Sequence, residues 1–262
     1  MRRVRQERVG GSRLGDVIRK IVMSNEVQDH FRAFELFSEE HLMRGFLRVG
    51  RLELADAEEI MKSREFGFAQ PFDVQFGKMM VKAMAHILGV FDSVLFGLAH
   101  SYEFSVVLTG QEAENEDSAL ARDLGARLGG EASGKLATLL GCPVSFETRL
   151  YEFPSAELVR RYFEWRRAVN RIRVLDRYVE YVLVGSGSNE ERISEIVTTF
   201  GTEEKLEILG QNDVHFASVP GWQRFGVAAY WQAGVDESAP RLLVDTELPE
   251  DEDFHHYLAQ RI

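Results

Sequence analysis

The order in which apolar runs alternate with amphipathic stretches constrains this 262-residue chain more than any other feature of it. "GFLRVGRLEL" (Gly45–Leu54) reads as a strand, and Gly50 inside it points to a bulge or a close backbone approach. Pro71 opens a helix from Asp73 to about Gly89, with Phe76, Met80, Ala83 and Ile87 on one face. Two apolar runs follow, Val94–Phe96 and Phe104–Leu108. The break between them, His100, Ser101, Tyr102 and Glu103, reads as the end of a hairpin. Ala119–Leu140 is helical, and Pro143–Phe153 alternates as a strand. Strand, helix, strand, strand, helix, strand is the βαββαβ order of an α+β, ferredoxin-like sheet with its helices on one face.

The flanks divide the chain into three regions. Residues 1–44 hold a basic arm, "MRRVRQERVGGSR", and helical spacing from about Arg13 to Met43, with a break near Ser24–Asn25. Residues 45–184 hold the ferredoxin-like core and a long helix that Pro154 and Ser155 start and that runs to about Leu183. "GSGSNEE" (Gly185–Glu191) reads as a flexible linker, which makes residues 185–262 an appended region of short helices and apolar pieces. Eighteen Phe and three Trp supply a core, and the single Cys142 excludes an intramolecular disulfide framework. The best candidate for a membrane span, "MMVKAMAHILGVF", is interrupted by Lys82 and His86, and the N-terminal arm has no apolar core behind it. A cytoplasmic protein with no membrane partner is the expectation.

A formal net charge of −11 excludes coating nucleic acid through bulk charge. The distribution is uneven, however. Acid is concentrated in Gln111–Ser118 and in "DTELPEDEDF", base in the N-terminal arm and in "RRYFEWRRAVNRIRVLDR". On a helix, Arg166, Arg173 and Arg177 lie along one side, and Arg160, Arg167 and Arg171 along a neighbouring one. Two readings stay open. The arginines form a ridge for RNA phosphates, or they pair within the molecule or between subunits, with Glu157, Glu164, Asp176, Glu180 and the acidic segment Glu112–Asp117 as candidate partners.

One use of a ferredoxin-like sheet places chemistry at the hairpin end, the palm of nucleotide polymerases. Two divalent metals there need hard oxygen ligands, so one Asp is required near Val49–Gly50 and another within His100–Glu103. The chain resembles the tRNA(His) guanylyltransferases and their Thg1-like relatives, from roughly Phe31 to the C-terminus. "FAQPFDVQF" (Phe68–Phe76) is similar to the family's F-x-x-P-F-D-x-R-F, and "LFGLAHSYEFSVVL" to its Y-G-x-x-x-S-D-E-x-S hairpin. "GGEAS" (Gly129–Ser133), "FETR" (Phe146–Arg149), "YFEWR" (Tyr162–Arg166), Glu203–Trp231 and "DTELP" (Asp245–Pro249) match in order.

That resemblance implies Mg²⁺-dependent addition of nucleotides, from GTP or ATP, to a tRNA 5′ end. It also implies tRNA and nucleotide as partners, and an oligomer formed with itself or with an active paralogue. It implies nucleotide contacts at Gly50, Arg51, Ser101 and Arg149, with Arg149 and Arg166 at retained positions. RNA contacts fall to Arg166, Arg167, Arg171, Arg173 and Arg177. The departures fall on the chemistry. The two metal-binding aspartates correspond to Gly50 and Tyr102, and on the long helix family asparagines correspond to Arg173 and Asp176 and an acidic residue to Val169. A phenol with a pKa near 10 is a poor Mg²⁺ ligand at neutral pH. Ser101 and Glu103 persist at the turn, Glu103 as the residual catalytic residue. A noncatalytic member is therefore expected, against the alternative of a site rebuilt from Glu103 with Glu53 or Asp56. His100 is expected to be a turn residue rather than a ligand, His255 and His256 surface residues, and Trp165, Trp222 and Trp231 structural.

Overall fold

The computed structural model describes residues 42–109, 121–233 and 239–262. The basic arm, the residues before Leu42 for which a helix is expected and the acidic segment Glu112–Asp117 lie outside them. The core runs β1 (Leu47–Leu54), α1 (Ala57–Lys62), α2 (Val74–Val90), β2 (Val94–His100), β3 (Glu103–Leu108), α3 (Ala121–Leu140) and β4 (Phe146–Phe153). These strands pair in the order β4-β1-β3-β2, all antiparallel, which is the ferredoxin-like palm. Val94 lies opposite Leu108 and Phe96 opposite Val107, so the expected hairpin forms, closed by a two-residue turn at Ser101 and Tyr102.

Local signals explain the element ends. Asp73 caps α2, its Oδ1 accepting from the N–H groups of Gln75 and Phe76. Phe76, Met80, Ala83 and Ile87 all turn inward. β1 starts at Leu47 rather than Gly45, where the backbone takes a φ of +76°. Gly50 marks close packing and not a bulge, because the ladder to β3 runs unbroken from Arg48 to Glu53.

Side chains alternate across the sheet and feed two cores. One face packs Leu52, Phe104, Val106 and Leu150 against α2 and α3. The other packs Val49, Val107, Tyr151 and Phe153 against Val159, Tyr162 and Phe163 of a 30-residue helix, α4 (Ala156–Gly185). The sheet is thus covered on both sides, where the sequence pattern implies helices on one. After Gly185 come α5 (Glu190–Thr199), α6 (Thr202–Gln211), a 3-10 turn (Phe216–Ser218), α7 (Gly221–Arg224), β5 (Val227–Gln232), β6 (Arg241–Asp245) and α8 (Asp251–Ala259). α5 and α6 pack on the C-terminal half of α4, where the buried Lys205 Nζ donates to Asp176 at 2.5 Å. β5 pairs with β2, extending the sheet to six strands, so the region after Gly185 completes the palm sheet instead of hanging from it. Among the described residues, no helix is long and apolar enough to cross a membrane.

Candidate functional site

Glu53 and Glu103 lie opposite each other in the β1–β3 ladder, and Arg51, two residues earlier, shares their face. The Ser155 hydroxyl accepts from Leu158 N–H and starts α4 over that face. Arg166, Asn170 and Arg173, spaced i, i+4, i+7, then form one stripe above Glu103. Arg166 Nη2 is 2.5 Å from each Glu103 oxygen, and its Nε donates to Oε1 at 3.1 Å. Asn170 Nδ2 donates to the same oxygen at 2.9 Å. Oε2 accepts from Arg51 Nε at 3.2 Å and Nη2 at 3.0 Å, and from Arg173 Nη1 at 3.4 Å. Arg51 also pairs with Glu53, and Arg173 approaches Glu53 at 3.6 Å. Three guanidiniums close on two carboxylates.

The electrostatics follow from that count. Burial would raise the Glu103 carboxyl, but Arg166, Arg51 and Arg173 overcome it and hold the group well below the usual carboxylate range. Burial would lower Arg51, and Glu103 with Glu53 reverse the direction. Arg173 is the exception: burial lowers it, Arg166 and Arg51 add to the effect, and Glu103 and Glu53 only partly offset it. Its side chain is 51% exposed and its two contacts are the longest in the cluster.

Gly50 does not belong to this face. A Cβ there would meet Leu128 Cδ1 at 2.9 Å, with Val106 and Leu150 close behind, so the position points into the α3 core. Gly50 and Arg51 thus lie on opposite faces of β1. Arg166 and Arg167, expected as RNA contacts, are buried, at 4% and 5% exposure. Arg166 is spent on Glu103, and Arg167 lies over the rings of Phe225 and Phe254 at 4.6 and 4.1 Å. Arg171 sits 5.5 Å over Phe225. Arg177 pairs with Glu58 at 2.7 Å and Glu180 at 3.5 Å and lies over the Tyr102 ring. Arg166, Arg167, Arg171 and Arg177 of the ridge thus all make contacts within the chain. Arg149 is exposed on β4, directly opposite Arg51 in the ladder. Asn170 was invisible to motif reading, although its spacing between Arg166 and Arg173 is the signal that places it.

The hairpin end is packed. Tyr102 meets Phe76 edge-on, and burial raises its phenol above the ordinary value. Ser101 adopts φ +53°, its Oγ 3.1 Å from His100 Nδ1. Met61, Phe72, Phe76, Ser101, Tyr102 and Trp222 line a small crevice beside it. His100 is buried, its Nε2 3.3 Å from Arg224 O, and burial pushes it down to about 4. The unfolded chain takes up that proton near 6.5, so below that pH the unfolded state binds more protons and stability falls toward pH 4. An NMR titration of His100 is expected to show a midpoint near 4, and a midpoint above 6 would contradict its burial.

Among the described residues, no three His, Cys, Asp or Glu side chains converge to hold an ion, and both Glu103 oxygens already accept from guanidinium N–H groups. Asp56 stands apart, exposed at the start of α1.

No family model and no curated protein sequence matches the chain. Solved structures do. The tRNA(His) guanylyltransferase of Saccharomyces cerevisiae superposes with a TM-score of 0.64 at 17% identity, over 76% of this chain and 90% of that one. A bacterial tRNA(His) guanylyltransferase (Thg1)-like protein in complex with GTP gives 0.64 at 15% identity, over 91% and 97%. The same kind of protein in complex with ATP gives 0.66 at 15%, over 92% and 98%. Palm order, hairpin and flanking helices together give this chain the fold of the tRNA(His) guanylyltransferases and the bacterial Thg1-like proteins.

Proposed function

We propose that this chain is a noncatalytic Thg1-like protein, a palm that binds tRNA, a nucleotide or an active paralogue without adding nucleotides to RNA. One observation carries the reading: Glu103, the acidic residue at the hairpin where palm chemistry belongs, is saturated by Arg51, Arg166 and Arg173. A palm needs carboxylate oxygens free to hold metal beside the triphosphate and the attacking hydroxyl, and losing that charge stabilisation removes several kcal/mol of transition-state stabilisation. Freeing Glu103 would leave Arg166 buried without its counter-ion, which is costly. The rebuilt alternative is disfavoured on the same ground, because Glu53 is bound to Arg51 rather than directed at a metal. Support for the ligand classes comes from the fold neighbours, tRNA(His) guanylyltransferases and Thg1-like proteins solved with GTP and with ATP.

Incubation of the purified protein with tRNA, labelled GTP and Mg²⁺ is expected to give no 5′ labelling above background. Robust labelling that disappears in Glu103→Gln would overturn the reading.

A further inference from the structure

We propose that the palm takes a phosphate-bearing anion directly on its guanidiniums, with no divalent cation between them. The inference rests on the noncatalytic reading and names the chemistry of the same site. Charge balance is the first argument. Arg51, Arg166 and Arg173 face Glu53 and Glu103, and Arg149 and Glu147 on β4 add one charge of each sign to the same face, leaving one positive charge in excess. Geometry locates it. Arg166 is buried against Glu103 and Arg51 is bound to both carboxylates, whereas Arg173 is half exposed and held only at 3.4 and 3.6 Å. Its pairing with Glu53, itself 38% exposed, is a contact that an incoming anion can exchange without opening the core. A phosphate oxygen pair matches the planar fork of an arginine, and phosphate carries more charge than the Glu53 carboxylate it replaces. Arg166 and Arg51 lie close enough to disfavour the charged form of Arg173, so an added anion relieves a local excess of like charge. In a palm built from aspartates the phosphates need a metal to approach, whereas here the cations belong to the chain.

The test is calorimetric titration of the full chain with inorganic tripolyphosphate, in EDTA and in excess Mg²⁺. Saturable binding in EDTA is expected, weakened when Mg²⁺ neutralises the ligand and when salt rises. Arg173→Ala should weaken it about tenfold and Arg173→Lys by less, because a lysine keeps the charge and loses the fork. Glu53→Gln should tighten it severalfold by removing the competing carboxylate. Both positions are half exposed, so the variants are expected to keep the wild-type circular dichroism spectrum. Absence of binding in EDTA, binding that requires Mg²⁺, or equal affinity in wild type and Arg173→Ala would overturn the inference. A Mg²⁺-requiring result with no 5′ labelling would sink this proposal alone; 5′ labelling would sink the noncatalytic reading beneath it.

Discussion

Glu103→Gln is expected to lower the unfolding free energy by about 3–5 kcal/mol, the cost of removing one partner from a buried ion pair. The change is nearly isosteric, so packing is not the cause. The substituted amide would still accept hydrogen bonds through its oxygen, but Arg166, buried beneath α4, would lose its counter-ion while Arg51 and Arg173 remained beside it. For a chain of this size the melting temperature should fall on the order of 10 °C. Glu53→Gln provides the contrast: its carboxylate is partly exposed, and the expected loss is within about 1 kcal/mol. Urea unfolding of the two variants separates these outcomes, and equal losses would mean that Glu103 is no more a keystone than Glu53.

The acid dependence carries the same signature. The folded-state pKa of Glu103 is depressed, so its contribution is fully present above the unfolded value near 4.5 and is lost as pH falls toward the folded value. The gap in stability between wild type and Glu103→Gln should therefore be widest at neutral pH and close progressively below about pH 4.5. A gap that stayed constant down to pH 2 would show that charge is not what Glu103 contributes.

Much of this fold is legible in the sequence because its signals are local. The Asp73 cap, the Phe76–Met80–Ala83–Ile87 face and the two apolar runs around His100–Glu103 each specify an element from a few neighbouring residues. What is not legible depends on the third dimension. Residues after Gly185 look like a separate extension because nothing in Val227–Trp231 says that β5 pairs with β2, more than 120 positions earlier. The arginines of α4 are readable as two rows. Which row meets Glu103, Glu53 and Glu58, and which lies on Phe225 and Phe254, depends on how α4 rotates over the sheet. Nor does the sequence announce that Arg51, Arg166 and Arg173 converge on Glu103.

Gly50→Asp is the second variant with a large expected effect, and it separates an alignment from a structure. By motif, an aspartate at position 50 looks like the restoration of a lost metal ligand. By geometry, Gly50 faces away from Glu103, into a space bounded by Leu128, Val106 and Leu150. The new Cβ would stand 2.9 Å from Leu128 Cδ1, and the carboxylate beyond it would enter an apolar layer lined by those side chains. Gly50→Ala isolates the steric part and should cost about 1–3 kcal/mol, since a packed core yields only by shifting its neighbours. Gly50→Asp adds an uncompensated buried charge, which brings the expected loss to about 4 kcal/mol or more. Such a variant should express poorly or melt far below wild type, and Mg²⁺ should not restore it. A Gly50→Asp protein as stable as wild type and further stabilised by Mg²⁺ would mean that β1 presents this position to the palm face after all. The arginine cluster would then be a resting arrangement that metal displaces, and not the settled occupant of the site.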